Sequence, residues 1–394
     1  MVLGFLTLAE NNHFFKLGFY FSVNNSMSLL LRRLSKLCLS KPASVRSSLL
    51  LSNGFSSSSL LQSPPCNIIG ARRCGPYFGT LIIFNANEDD STYLEKKVPM
   101  ELVVYNDATV TIGASHGWVA TVNKDDGILR LRDDLNPYAS YTDPRSIRLP
   151  PLVTLPHCQT QIITNVAMSC SSPEDEDCVV AVKFLGPQLS FCRPARSHSD
   201  WTNIRIENPC FFSSRVMFSK KYDMFRIPGS GGHIIGSWDL RRHKHDPVLQ
   251  RLRFRKLPEL PKTKRELLDF CCITEHLVES PAGETFLVKW YRKTAPARKT
   301  INGMVKMQTK TVMVFKLDEK GNAVYSQDIG DLYIFLSKSE PFCVPASSFP
   351  GMSSNRVEIL DVNENVVVDL SDYSMTGGNA RFGAPYSIPP QKLD

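Results

Sequence analysis

The chain has 394 residues, of which 46 are Lys or Arg and 38 are Asp or Glu, so its formal net charge is +8. A hydrophobic fraction of 42% and a charged fraction of 21% exclude a wholly disordered chain, which carries too few apolar side chains to form a core. No run of 18 apolar residues is free of charge, so we expect no transmembrane helix and no membrane insertion.

The surplus positive charge lies mainly at the N-terminus. Residues 1–70 contain six basic side chains and one acidic side chain, Glu10, which leaves 40 basic and 37 acidic residues in the other 324. The net charge of that remainder is +3, well short of the strongly basic domain that is typical of a nucleic-acid binder.

Residues 27–63 have the composition of an organellar transit peptide, with 12 serines, 11 leucines, five basic residues and no acidic residue. Leu31, Leu34 and Leu37, with basic residues between them, can form a short helix with one apolar and one basic face. A Ser-rich tail without a targeting role is the alternative. The arginines favour the mitochondrion, and plastid or dual targeting are the alternatives to it.

These patterns predict three regions. Residues 1–65 are expected to be a disordered transit peptide with an upstream extension, 66–76 a linker, and 77–390 the folded domain. Met27 is an alternative start to Met1, because the transit-like composition begins there.

After residue 70, short runs of Val, Ile, Phe and Leu alternate with clusters of Gly, Pro, Asn and Asp, a pattern typical of β-strands and turns. One helix is predicted, at 264–270, and hairpin turns are predicted at 123–127, 280–283 and 318–322. The predicted strands are 79–84, 101–105, 118–122, 128–131, 179–184, 202–206, 233–238, 285–291, 311–317, 324–325, 332–336, 357–360 and 366–370.

Parallel βαβ architecture is disfavoured, because each crossover needs a dozen or more residues and almost no helix separates the strands. A sandwich, a barrel and a propeller remain, and the length of the domain suits a propeller of about six or seven four-stranded blades. No clear internal repeat is visible in the sequence.

Several short motifs occur in a fixed order along this region. They are SHGWVATV from Ser115, DG at 126–127, LNP at 135–137, IRLPPL at 147–152, VVAVKF at 179–184, FCRPA at 191–195 with Trp201, GSWD at 236–239, LVES at 277–280 with Gly283 and FLV at 286–288, VFKLD at 314–318, IGD at 329–331 with Phe335, and FPG at 349–351 with Asn355. Over residues 77–390 this set resembles the plant domain of unknown function 295, an F-box-associated, kelch-like β-propeller.

The resemblance implies an all-β propeller fold and no established catalytic residue. Family members commonly begin with an F-box that docks to a ubiquitin-ligase adaptor, but here a transit-like leader precedes the propeller, so the ligase adaptor is not an expected partner. The leader resembles that of the family's organellar branch, which lacks the F-box. Within the motifs, Gly117 is expected to let the backbone turn, and Trp118 is expected to fill the space between two blades.

No spacing in the chain predicts a metal, cofactor or catalytic site. His243 and His245 lie among charged residues before Pro247, which indicates a solvated loop. Gly229–Gly232 lacks the Lys-Ser/Thr of a phosphate loop and indicates a turn. The acidic run at 174–177 indicates a second solvated loop, and the 11 cysteines include no C-x-x-C pair.

One basic stretch remains as a candidate contact surface. Arg251, Arg253 and Arg255 alternate with Leu252 and Phe254, so on a strand the three guanidinium groups share one face, and Lys256 follows them. Arginines spaced by about 6.6–6.8 Å can follow a phosphate backbone. They can equally keep the edge of an outer strand soluble and unpaired.

We therefore expect a non-enzymatic organellar β-propeller that acts as a protein-binding or scaffold module, with no cofactor. The first alternative is an organellar RNA-associated protein that uses Arg251, Arg253, Arg255 and Lys256. Two further alternatives are a hydrolase with its site at the central channel, where closed β folds often bind small molecules, and a cytosolic ligase receptor.

Overall fold

The strands pair into six separate sheets in the computed structural model of this chain. Val, Ile, Phe and Thr recur in these strands, because branched and aromatic side chains pack well on a pleated surface. The structure describes residues 62–86, 91–104, 109–156, 158, 162–196, 200–240, 246–295, 307–378 and 382–392.

The first three sheets have four strands each, and each sheet is one blade. Blade 1 contains β1 (Cys66–Arg73), β2 (Phe78–Asn85), β3 (Ser91–Pro99) and the last strand of the chain, β26 (Tyr386–Ile388). Blade 2 contains β4 (Thr109–Ser115), β5 (Trp118–Asn123), β6 (Leu129–Arg132) and β7 (Ser146–Arg148). Blade 3 contains β8 (Ile163–Met168), β9 (Val180–Phe184), β10 (Gln188–Cys192) and β11 (Thr202–Arg205).

The other three blades have four, five and five strands. Blade 4 contains β12 (Met217–Ser219), β13 (Met224–Pro228), β14 (Ile234–Trp238) and β15 (Val248–Arg251). Blade 5 contains β16 (Arg253–Arg255), β17 (Cys272–Glu279), β18 (Thr285–Thr294), β19 (Met307–Leu317) and β20 (Asn322–Ser326). Blade 6 contains β21 (Leu332–Leu336), β22 (Phe342–Pro345), β23 (Arg356–Asp361), β24 (Glu364–Asp369) and β25 (Met375–Gly378).

Helices are few and short. The α-helices in the described part of the chain are α1 (Met100–Val103) and α2 (Lys262–Asp269), and two 3-10 turns lie at Pro209–Phe211 and Ala346–Ser348. None of the helices in these described regions is long and apolar enough to cross a membrane.

The sheets form a six-bladed β-propeller. One terminal strand of each sheet faces the centre, and these inner strands are β26, β4, β8, β12, β17 and β22. The ring closes where β26 pairs antiparallel with β1, with Cys66 opposite Ile388 and Ile68 opposite Tyr386. The two ends of the folded region therefore build one blade together.

Each space between neighbouring blades is filled by its own cluster of buried side chains in the described residues. Between blades 2 and 3, Trp118 packs with Leu131, Val166 and Val182, and between blades 5 and 6, Trp290 packs with Ile334 and others. Because both faces of a blade are covered in this way, strands such as β9, β14 and β21 are buried along their whole length.

The structure confirms the all-β propeller and gives it six blades, so a seventh blade was wrong. The predicted helix corresponds to α2, and the three predicted hairpin turns connect β5 to β6, β17 to β18 and β19 to β20. All but one of the predicted strands are found, some with shifted ends.

Two sequence-based expectations differ from the structure. The predicted strand at 101–105 is replaced by the single turn α1, because Pro99 ends β3 and Met100, Leu102 and Val103 bury their side chains from one helical turn. The expected linker at 66–76 contains β1, whose Cys66 and Ile68 are fully buried. Of the expected targeting segment at 1–65, residues 1–61 lie outside the described residues. Residues 62–65 belong to the fold, since Gln62 forms a β-bridge to Lys392 and Ser63 is fully buried.

Residues of different sequence motifs contact one another in the structure. Gly117 has φ +86°, and a Cβ there would lie 2.6 Å from the Asn136 amide nitrogen, so only glycine fits beside the Asn-Pro turn. The Trp118 indole donates to the Ser171 carbonyl at 3.1 Å, and the Trp201 indole donates to the Pro150 carbonyl at 2.7 Å. These motifs therefore form contacts between neighbouring blades.

Closure of the ring gives a direct test. Ile388 is fully buried in the closing strand, so Ile388→Ala is expected to lower the free energy of unfolding by about 2–5 kcal/mol. Urea denaturation followed by circular dichroism measures this change. The control Val153→Ala truncates an exposed side chain and is expected to change stability by less than about 0.5 kcal/mol. Equal stability of the two variants would contradict the closing role of β26.

Candidate functional site

The predicted basic stretch lies on the perimeter of the propeller. Arg251 ends β15 at the outer side of blade 4, and Arg253–Arg255 forms β16 at the outer side of blade 5. The backbone crosses between the blades here, because the Leu252 amide donates to the His233 carbonyl at 2.8 Å and the Arg253 amide donates to the Gly321 carbonyl at 2.7 Å. The stretch therefore links two blades, whereas one continuous strand was expected.

The predicted alternation of side chains is confirmed. Arg251, Arg253 and Arg255 are exposed, Leu252 is buried and Phe254 is half-buried with its ring 4.9 Å from that of Phe315. We call the exposed side chains of Arg251, Arg253, Arg255 and Lys256 the basic edge. Lys256 ends the strand, with φ +53°.

The basic edge is flanked by exposed apolar side chains. Val248, Leu249 and Leu257 are between 53% and 63% exposed. Among the described residues, no acidic side chain forms an ion pair with the four basic ones. The basic edge therefore combines uncompensated positive charge with exposed apolar surface.

The central channel is crossed by a segment of the chain itself. Residues 337–341, which connect β21 to β22, form what we call the channel segment. Its Lys338 amide donates to the Pro385 carbonyl of blade 1 at 3.1 Å, and its Glu340 amide donates to the Ala114 carbonyl of blade 2 at 2.6 Å. A Cβ at Gly113 would lie 3.1 Å from the Val166 nitrogen, so glycine lets blades 2 and 3 approach closely beside this segment.

Glu340 joins three further blades through its carboxylate. The Ser115 hydroxyl of blade 2 donates to Oε2 at 2.6 Å, and the Phe218 amide of blade 4 donates to Oε1 at 2.7 Å. The Met168 amide of blade 3 donates to the same Ser115 hydroxyl at 3.2 Å. Burial raises the pKa of Glu340 to about 7, against the opposing effect of these hydrogen bonds.

Ser115, His116 and Glu340 form the arrangement nearest to a catalytic triad. The Ser115 hydroxyl lies 2.9 Å from His116 Nδ1, but it also bonds to Glu340 and to the Met168 amide. Burial lowers the pKa of His116 to about 4, and Ser115 is 2% exposed. A hydroxyl held by three groups in a buried position serves a structural role, because an attacking nucleophile must reach its substrate.

Lys183 is a second buried ionisable group, and no pattern in the sequence indicated its burial. It is fully buried, and its ammonium donates to the carbonyls of Phe184, Gly186 and Phe212, the last two at 3.0 Å. Burial lowers its pKa to about 7. Because all three of its donor positions are used, Lys183 ties the β9–β10 turn to the segment that connects blade 3 to blade 4.

Two cavities open between blades. One of about 390 Å³ lies between blades 3 and 4 and is lined by Phe218, Phe225, Trp238, Arg193 and Asp177, among others. Another of about 350 Å³ lies between blades 5 and 6, beside Lys316 and Asp331. Both are of the size of small-ligand pockets.

The other sequence candidates have ordinary structural roles. Gly229–Gly232 forms the turn between β13 and β14, and the acidic loop at 174–177 is exposed, as predicted. His243 and His245 lie outside the described residues. Across the ranges that the structure describes, no group of three or more His, Cys, Asp or Glu side chains is arranged to hold a metal, and the ten cysteines have free thiols.

The buried carboxyl of Glu340 makes stability dependent on pH. Its pKa is about 7 in the folded protein and 4.5 in the unfolded chain, so the folded state holds more protons between these values and stability falls as the pH rises. Glu340→Gln is expected to remove on the order of 2–3 kcal/mol of this fall between pH 5 and 8. Urea denaturation at several pH values measures the difference from the wild type.

The matched control is Glu176→Gln, in the exposed loop, which is expected to keep the wild-type pH profile. An unchanged slope in Glu340→Gln would contradict the burial of a proton-holding carboxyl in the channel.

Comparison with known families supports the fold. A family model described as the KIB1-4 beta-propeller matches residues 83–378, which is most of the folded region. A search of the curated proteins found no match.

Solved structures with similar folds share little sequence with this chain. The β-propeller domain of Cps50 (Swd1) from Myceliophteria thermophila is 10% identical with a TM-score of 0.33, covering 83% of this chain and 89% of that one. A Bacteroides fragilis protein described as a "putative 6-phosphogluconolactonase" is 11% identical with a TM-score of 0.38, covering 86% and 100%. The BBS1N chain in complex with ARL6DN is 8% identical with a TM-score of 0.30, covering 65% and 76%. Such low scores carry no argument about function.

Proposed function

Because this chain belongs to the KIB1-4 beta-propeller family, we propose that its mature part is a non-enzymatic scaffold that binds a protein partner. The basic edge is the observation that carries the proposal. It presents four unpaired cationic side chains next to exposed Val248, Leu249 and Leu257. A complementary partner is a protein segment that carries acidic and apolar residues.

The channel supports a binding role over catalysis. Small-molecule sites of closed β folds often lie in the central opening, but here residues 337–341 occupy that region and bond to blades 1, 2 and 4. The hydrolase alternative would therefore require this segment to leave, with loss of the Glu340 hydrogen bonds to Ser115 and Phe218.

RNA is the second candidate partner, favoured by three exposed arginines within five residues. The net charge of +3 outside residues 1–70 weighs against it, because nucleic-acid binding requires many phosphate contacts. The protein partner is therefore preferred.

We also propose that this protein belongs to an organellar branch of its family and is imported into an organelle. The motifs resemble the plant domain of unknown function 295, and the basic, acid-free segment at 27–63 supports the organellar branch without an F-box. Import into the mitochondrion is proposed, with the plastid as the alternative destination.

Charge reversal tests the basic edge. In Arg251→Glu/Arg253→Glu/Arg255→Glu, proximity labelling inside the organelle is expected to lose the wild-type partners, because acidic residues would repel an acidic segment. The control Arg72→Glu/Arg73→Glu/Lys97→Glu makes the same change of charge at exposed positions of blade 1 and is expected to keep them.

A mixed-sequence RNA binding assay at low salt separates the two partner classes. The protein proposal predicts no retention by the wild type. Salt-sensitive retention that disappears in the triple reversal would replace the protein partner by RNA, and loss of protein partners in both triple variants would contradict a specific role of the basic edge.

A reporter fusion tests the location independently. Residues 27–70 fused to a fluorescent protein are expected to direct it to mitochondria, because import uses a basic amphipathic helix and the membrane potential. The control Arg32→Glu/Arg33→Glu/Lys36→Glu is expected to leave the reporter in the cytosol. A cytosolic signal from the unmodified fusion would contradict organellar import.

A further inference from the structure

Three basic side chains from three blades interact with one carboxylate, and His276 lies beside two of them, Arg215 and Arg292. Arg215 precedes β12 of blade 4, His276 and Arg292 belong to β17 and β18 of blade 5, and Lys338 belongs to the channel segment of blade 6. Asp361 ends β23 of blade 6. Electrostatic interactions connect Asp361 to both Arg215 and Lys338.

The direct contacts leave positive charge uncompensated. The Arg292 Nη1 atom lies 3.4 Å from Asp361 Oδ2, whereas Arg215 Nη1 donates to a neutral acceptor, the Ser337 carbonyl, at 2.6 Å. Arg215, Arg292 and Lys338 thus share one carboxylate. The positive charge of Arg215 also repels the positive charges of Arg292 and Lys338. This arrangement retains two surplus positive charges in a partly desolvated place.

Unused polar atoms lie in the same cluster. His276 is 3% exposed and its Nδ1 has no hydrogen-bond partner, while the buried Arg292 Nε also has none. Both groups pack on Trp290, with the His276 ring centroid 6.0 Å and the Arg292 guanidinium carbon 4.2 Å from the indole. Buried polar atoms are normally paired, so these positions call for an additional acceptor or donor.

We propose that Arg215, His276, Arg292 and Lys338 bind a small divalent oxyanion of the phosphate class. Two negative charges would balance the two surplus positive ones, and phosphate oxygens accept hydrogen bonds from guanidinium and ammonium groups. Arg215, Arg292 and Lys338 each keep a part of their surface exposed. The anion would also join blades 4, 5 and 6 to one another.

Burial and like charges lower the pKa of Lys338, Arg215 and His276, as expected for cations crowded without an anion. This inference is independent of the partner proposed for the basic edge.

Titration of the full chain with inorganic phosphate tests the site. Isothermal calorimetry is expected to show saturable binding near one site per chain, and the melting temperature is expected to rise with phosphate but not with sodium chloride of equal ionic strength. Lys338→Gln and Arg292→Gln are each expected to weaken the affinity at least tenfold. Lys338→Gln is expected to disturb the fold less than Arg292→Gln, because Lys338 lies in a connecting segment and Arg292 lies in strand β18.

The matched control is Arg253→Gln, which removes one charge from the basic edge and is expected to bind phosphate as the wild type does. Absence of saturable binding by the wild type, or equal stabilisation by chloride, would overturn the proposal. So would an equal loss of affinity in Arg253→Gln, since that result would assign the phosphate effect to overall charge.

Discussion

Pairing of β26 with β1 is the interaction on which the propeller depends. Each blade buries both faces against its neighbours, so an open ring would expose two apolar faces, one on blade 1 and one on blade 6. The closing pairs bring Cys66 opposite Ile388 and Ile68 opposite Tyr386, all fully buried. Closure therefore turns six sheets, none of which has a complete core alone, into one cooperative structure.

Closure also creates a central channel, where buried backbone groups need hydrogen-bond partners. Inner strands present backbone groups toward the axis, and an unpaired buried backbone group costs free energy. The channel segment supplies partners through the amides of Lys338 and Glu340 and through the Glu340 carboxylate. The chain's own residues thus satisfy these groups at the centre, whereas the basic edge lies on the perimeter.

Much of the architecture is visible in the sequence, because local patterns are sufficient for it. Alternating apolar runs, glycine turns and the near absence of helix predict a closed β fold, and Gly117 and Trp118 occupy joints between blades as their residue types suggest. The alternation at 251–255 likewise predicts the exposed arginines. Some of the strands that were missed are short or polar, such as β7 and β3, which pack through neighbours that the local pattern does not contain. The eight-residue strand β1 and the fully buried strand β10 were missed as well.

By itself, the sequence determined the class of fold, the position of the surplus charge and the exposure of Arg251, Arg253 and Arg255. Only the tertiary structure decided the number of blades, the use of residues 66–73 as a strand, and the meeting of Ser115 with Glu340 and of Arg292 with Asp361. The physical reason is separation along the chain. Ser115 and Glu340 are 225 positions apart, and their contact follows from the closure of the ring, which no local pattern encodes.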